Sequence, residues 1–126
     1  FYIYKIYGLY HCLNIVANKK GIPEAVFIRA AEPLSGIDIL RKNRAIKHDN
    51  AKYIANGPGK LAQALKLGLD FNFCSVENST LYFTKGESVA LSSIAAAARI
   101  NIDYAQEHKY LPLRFYIKGS KFLSNS

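Results

Sequence analysis

Apolar and polar positions alternate through the opening of the chain. Phe1 to Tyr7 is aromatic and β-branched with a period of two, which predicts a strand carrying Tyr2 and Tyr4 on one face. Gly8 interrupts it, and Tyr10 to Ala17 continues as a second strand. Asn18-Lys19-Lys20-Gly21 reads as a turn and Ala25 to Ala31 as a third strand. Ser35 followed by Asp38 is a capping-box-like start for a helix running to about Lys47. The next helix has clearer punctuation: Asn56 as N-cap, Pro58 at an early position, and Gly68 where a C-terminal cap belongs. Leu61, Ala64 and Leu65 form its apolar stripe. Then come a loop with Asp70 and Asn72, a short strand at Leu81 to Thr84, a turn at Lys85-Gly86, and a last strand at Leu113 to Ile117. Ile94 to Ile102 fits a buried strand or a helix, and periodicity does not decide; Asp103 to His108 reads as a helical turn. With no internal repeat or Pro/Ser-rich linker, the pattern predicts one α+β domain over residues 1–126 with a mostly antiparallel sheet.

Composition narrows the function classes. A chain of 126 residues buries roughly two-thirds of its unfolded surface, and 50% apolar with 21% charged residues is globular rather than disordered. Lys and Arg outnumber Asp and Glu 17 to 9. The resulting charge of +8 favours an anionic partner, most often nucleic acid, although a solvated basic surface has the same signature. Nine tyrosines and seven phenylalanines add faces on which bases stack. Cys12 and Cys74 are too few for a disulfide framework, and with His11, His48 and His108 they show no zinc spacing. Reduced thiols in the cytoplasm are the simplest reading, with no metal expected. The longest apolar stretch, Phe1 to Ala17, is broken by Lys5, Gly8, His11 and Asn14 and does not span a membrane. No signal peptide is visible. The sequence begins at Phe and enters directly into a strand, so an upstream segment is expected to be missing.

Several residues are placed where chemistry is plausible. Tyr2, Tyr4, Tyr7 and Tyr10 crowd into ten residues, and most such tyrosines simply pack a sheet face. Tyr7 differs because Gly8 follows it: an aromatic projecting from a tight turn is suited to enter a base stack, at an unstacking cost of a few kcal/mol per step. Asn56-Gly57-Pro58-Gly59-Lys60 sets a cation in the first turn of a helix, against the macrodipole. A bound phosphate relieves that conflict, and an exposed lysine in a capped helix is the plainer alternative. The spacing is not a Walker loop. The basic run Arg41, Lys42, Arg44, Lys47 and Lys52, opposed only by Asp49, reads as electrostatic background. Arg29 and Arg99, each among apolar residues, face solvent or an anion or carbonyl partner. Glu24, in a predicted loop, and Glu32, at a strand end, read as surface charges, with a general base as the alternative for either. The residues alone describe a basic binding domain without a visible reaction centre.

Tyr2-Ile3-Tyr4, Tyr7-Gly8-Leu9-Tyr10 and Cys12-Leu13-Asn14 resemble the alkyladenine-type 3-methyladenine DNA glycosylases. The resemblance continues through Pro23-Glu24-Ala25-Val26, Ile28-Arg29-Ala30, Glu32-Pro33-Leu34 with Gly36, and Asn56-Gly57-Pro58-Gly59-Lys60-Leu61 with Gln63-Ala64-Leu65. It closes with Ala98-Arg99-Ile100 and Leu113 to Gly119, and so covers nearly the whole chain in order. It implies a curved antiparallel sheet with a protruding hairpin and packed helices, and a metal-free, cofactor-free monomer that hydrolyses the N-glycosidic bond of purines such as 3-methyladenine or hypoxanthine. Damaged double-stranded DNA is the implied partner, with base flipping as the means of access, and the nucleoid the implied location in a bacterium. By resemblance, Tyr7 is the wedge that fills the gap left by the flipped nucleotide, and Tyr4 a wall of the base pocket. Stacking a cationic base on Tyr4 adds about 0.5–2 kcal/mol. Asn14 discriminates against guanine's exocyclic amine, Arg29 and the backbone at Ile100 hold the attacking water, and Lys60 and Arg99 contact DNA. The family's general base, a Glu in a Glu-Ala-Tyr-type motif, and a pocket His match nothing here: Glu24 and His11 stand at other positions. The chain is therefore expected to be the C-terminal two-thirds of the domain, with little or no turnover alone. Asn101 stands where many members have Gly. The alternative is a non-catalytic nucleic-acid-binding module or an inactive remnant.

Overall fold

The alternation at the start of the chain builds a three-stranded antiparallel sheet. The first strand, β1 (Tyr2–Ile6), pairs with β2 (Tyr10–Ala17), which pairs on its other edge with β3 (Glu24–Phe27). Tyr2 stands opposite Asn14, Tyr4 opposite Cys12, and Asn14 also opposite Phe27. The computed structural model describes residues 1–124. Directly opposed residues share a face. Ile3 and Leu13 therefore occupy one side of the sheet, and Tyr2, Tyr4, Cys12, Asn14 and Phe27 the other.

The first side is the core. Ile3 and Leu13 are buried with Phe1, Ala62 and Leu67, the last two on and just beyond α2 (Pro58–Ala64). Ile54, Ala55, Leu61 and Ala64 form a second cluster, onto which α1 (Ile37–Arg44) lays Ile37 and Leu40. Full burial of Ile3 and Ile54 stabilises by about 1.5–3 kcal/mol each. The outer edge of β1 is covered rather than left as a template for another strand. The Ile3 N–H donates to Asn72 Oδ1 at 3.0 Å, the Phe73 N–H to the Phe1 carbonyl at 2.9 Å, and the Phe1 amine to the Cys74 carbonyl at 2.7 Å.

Two compact units are present: Phe1–Thr84, with residues 122–124, and Lys85–Lys121. In the second, β4 (Ile94–Ala97) and β5 (Arg114–Ile117) form an antiparallel pair, with Ile94 opposite Ile117 and Ala97 opposite Arg114. The ambiguous stretch from Ile94 is thus a strand that ends at Ala97. Asp103–Tyr110 winds in 3₁₀ turns, kinked at Gln106.

The α+β class with antiparallel pairing is as expected, though the pairing falls into two sheets rather than one. Leu81 to Thr84 is not a strand. The Phe83 N–H turns back to the Val76 carbonyl at 3.0 Å, and the Ser79 hydroxyl bonds the carbonyl oxygens of Ser75 and Leu81. Such local bonds compete with a ladder. The third strand stops at Phe27: the Ile28 N–H makes a last bond to the Leu13 carbonyl opposite it, and the Ala31 N–H then goes to the Ala55 carbonyl outside the sheet. Ser35 does not cap α1; Gly36 does, in the left-handed region at φ 64° and without a side-chain bond.

Both helices end earlier than the sequence pattern implies. In α2, Lys66 takes φ 52°, its N–H bonds the Gln63 carbonyl at 3.1 Å, and the Leu67 N–H bonds the Ala62 carbonyl at 2.8 Å. That is a Schellman closure, and the burial of Leu67 against Ala62 supplies its usual apolar contact. Gly68 lies beyond it in extended backbone, where a Cβ would stand 2.4 Å from Asp70 Oδ1. Ala45 closes α1 at Arg44 in the same way, short of Lys47. Leu65 is 38% exposed, and Ala62 takes its place in the buried stripe.

Candidate functional site

The sheet side away from the core gathers three of the residues singled out from the sequence. Tyr4 and Cys12 face each other across the β1–β2 ladder, with Asn14 one position further along the same face. Arg29, two residues past β3, sets its guanidinium 5.4 Å above the Phe27 ring. Burial pushes the Cys12 thiol above the ordinary thiol value, while a side-chain hydrogen bond with Tyr4 and the charge of Arg29 pull the other way. Tyr4 thus meets Cys12 across the ladder, and the Arg29 charge acts on the same thiol. Neither Cys12 nor Phe27 was singled out for this site from the sequence; period-two parity with Tyr2, Tyr4 and Asn14 is the signal that finds them.

Asn14 is only 5% exposed, and its Nδ2 donates to the carbonyl oxygens of Tyr2 at 3.2 Å and Cys12 at 3.3 Å. Its amide donors are bound to backbone, so the group is held rigidly in place on this face. Tyr2 packs its ring 5.6 Å from that of Tyr4.

Tyr7 stands at the tip of the β1–β2 hairpin. It takes φ 52° and Gly8 φ 68°, and the Leu9 N–H closes the turn on the Ile6 carbonyl at 3.1 Å. Two central residues with positive φ are what a type I′ turn requires. Gly8 meets that demand freely, and Tyr7 accepts its strain while its side chain is left 83% exposed. The projection anticipated from Tyr7-Gly8 is present.

Lys60 lies in the first turn of α2, and its conflict with the helix field is relieved within the chain. Gly57 caps the helix without a side-chain bond, so Asn56 is not the cap. Asn56 is instead buried, and its Oδ1 accepts from Lys60 Nζ at 2.9 Å.

The basic run is more than background. Arg41 ion-pairs with Asp38 at 3.4 Å and Asp49 at 3.2 Å, so Asp49 is not its only opposing charge. Arg44 donates from Nε to the Ile54 carbonyl at 3.1 Å and from Nη1 to Gln63, tying α1 to α2. Glu24 opens β3 rather than lying in a loop, and its exposed carboxylate accepts from Asn18 Nδ2 at 2.9 Å. Glu32 is exposed as well.

In the second unit, Arg99 and Ile100 follow β4. The Arg99 guanidinium donates to the His108 carbonyl at 3.3 Å, and Arg114 Nε to the Ala98 carbonyl at 3.0 Å. Asn101 takes φ 56°, the left-handed conformation that Gly adopts most easily and Asn next. The Asn at this position thus keeps a backbone shape that a Gly would also adopt. Arg99, Asn101 and Lys109 help line a shallow cavity of about 160 Å³ within this unit. A larger concavity of about 480 Å³ in the first unit runs between Leu9, Tyr10 and His11 and the Gly59, Gln63 and Lys66 side of α2. Neither includes Tyr4, Asn14 or Arg29. Among the described residues, no three His, Cys, Asp or Glu side chains group as metal ligands, and no helix is long and apolar enough to cross a membrane.

Comparison with known proteins gives this arrangement a family. Residues 1–121 match the family described as methylpurine-DNA glycosylase. The chain is 45% identical to a protein of Clostridium novyi (strain NT) named "Putative 3-methyladenine DNA glycosylase", over 98% of this chain and 63% of that one. Proteins with the same name from Natranaerobius thermophilus and Bacillus cereus (strain G9842) are each 43% identical over 98% of this chain, of which it covers 63% and 64%. The chain thus spans a little under two thirds of the length of the curated relatives it matches.

Proposed function

The chain belongs to the methylpurine-DNA glycosylase family, and from that premise we propose that it forms the DNA-gripping and base-pocket part of an enzyme that excises alkylated or deaminated purines, 3-methyladenine and hypoxanthine among them. It acts as a monomer on damaged duplex DNA in the cytoplasm, at the nucleoid. The observation that carries this reading is Tyr7, a large aromatic held 83% exposed at the tip of a closed turn, on the hairpin whose strands also carry Tyr4 and Asn14.

Tyr7 enters the base stack and occupies the space of the nucleotide turned out of the helix. Tyr4 offers its ring to the extruded base, and attraction to a cationic alkylated purine adds about 0.5–2 kcal/mol. Asn14, immobilised by its two backbone bonds, rejects guanine's exocyclic amine. Lys60 and Arg99 bind backbone phosphates and set the register without reading sequence. Arg29 helps hold a water for attack on the sugar C1′. A general base in sequence preceding Phe1 takes the water's proton, the bond from C1′ to the base breaks, and the base leaves with the electron pair, giving an abasic site.

Competition binding tests the reading. A duplex carrying a hypoxanthine should displace this chain's labelled DNA at lower concentration than the same duplex without the lesion. Equal displacement, with affinity falling steeply in salt, identifies a generic nucleic-acid binder instead.

A further inference from the structure

The wedge and the phosphate grip lie on different elements, yet one contact joins them. Ile6 and Tyr10 form the last pair of the β1–β2 ladder before the turn that carries Tyr7. The Tyr10 side chain, half exposed, leans on the first turn of α2. A Cβ added to Gly59 would lie 3.0 Å from Tyr10 Cδ1, 3.2 Å from Cγ and 3.3 Å from its Cβ, tighter than ordinary van der Waals contact, so the glycine lets the ring sit closer than an alanine would. Lys60 follows Gly59 directly and folds back past Gly57 to Asn56. From Tyr7 to Lys60 the path is a peptide bond to Ile6, one ladder pair to Tyr10, one ring-on-backbone contact with Gly59 and a second peptide bond.

We propose that Tyr10 and Gly59 are positioning residues that fix the spacing between the Tyr7 wedge and the Lys60 phosphate contact, so that gripping the backbone and entering the stack occur as one coupled event. This rests on the functional reading above. Tyr10 touches no reacting atom; it acts through the hairpin. Without it, Lys60 still binds phosphate and Tyr7 still projects, but each does so independently.

The test is a double-mutant cycle of Tyr7→Ala and Lys60→Gln, read as affinity for a hypoxanthine duplex, in the native chain and in Gly59→Ala. In the native chain the two losses should fail to multiply, by about fivefold or more. In Gly59→Ala, where the added methyl pushes the Tyr10 ring back by a few tenths of an ångström, the coupling should weaken, and in Tyr10→Ala the losses should multiply. A purely structural glycine would lower both affinities and leave the coupling intact, which overturns the proposal. Should Gly59→Ala fail to fold, Tyr10→Ala serves instead, since its half-exposed ring is not part of the buried core. Tyr10→Phe, which keeps the ring, should restore the coupling lost in Tyr10→Ala. Native coupling that survives loss of the Tyr10 ring refutes this inference alone. A native chain that binds lesion and plain duplex equally refutes the functional reading, and this inference with it.

Discussion

Asn14 Nδ2 reaches the carbonyl oxygen of Tyr2, 3.2 Å away and directly across the ladder, and shares its second donor with the Cys12 carbonyl. A site side chain is thus part of the sheet's own bonding. Asn14→Asp is nearly isosteric but turns an acceptor toward two carbonyl oxygens in a buried place. It should lower unfolding free energy at neutral pH by about 2 kcal/mol or more in urea titrations. Burial and the facing carbonyls raise the carboxyl pKa in the folded state, so the loss should shrink as pH falls through the ordinary carboxylate range.

Tyr7 presents the opposite case. Because its side chain is 83% exposed, Tyr7→Ala should change stability by no more than about 0.5 kcal/mol. The same substitution should remove most of the preference for lesion-containing duplex in competition binding. Stability and function therefore separate at this residue.

The two thiols should differ in reactivity. Cys12 is buried and its pKa lies above the ordinary value, chiefly through desolvation, whereas Cys74 is partly exposed. Iodoacetamide at pH 8 should label Cys74 in the native protein and reach Cys12 only on unfolding, as mass spectrometry of tryptic peptides would show. A raised folded-state pKa also means that the stability due to the neutral Cys12 thiol is complete below the unfolded thiol's pKa. It is lost as pH rises through that value toward the folded one. Cys12→Ala should remove this part of the alkaline decline.

Lys60→Gln should weaken binding to lesion and plain duplexes alike and reduce the slope of log affinity against log salt by about one. A change confined to the lesion duplex would place Lys60 in the pocket rather than on a phosphate.

What the sequence made legible follows from how local each signal is. Tyr10–Ala17 reads correctly because its alternation coincides with burial on one side and because Gly8 marks the turn. Leu81 to Thr84 has strand composition but no partner strand, and pairing is not a local property. The helix ends were misplaced because Ala45 and Lys66 take the left-handed cap usually given to glycine, and Leu67 burial helps set the second of them. At the site, Tyr4 and Asn14 were reachable through parity, as Cys12 was. The Lys60–Asn56 bond was hidden because Asn56 suits an N-cap equally well in isolation. The structural work of Arg44 was hidden for a different reason: its partners Ile54 and Gln63 lie 10 and 19 residues away.

The most direct test is a single-turnover excision assay on a hypoxanthine-containing duplex, run with this chain alone and with the same chain preceded by whatever sequence of its Clostridium novyi relative lies before the matched region. The account predicts little or no base release by the chain alone and release by the extended protein, abolished by Tyr7→Ala. Near-normal excision by the chain alone would contradict the placement of the general base before Phe1. No excision by either, with no lesion preference in binding, would contradict the glycosylase reading itself.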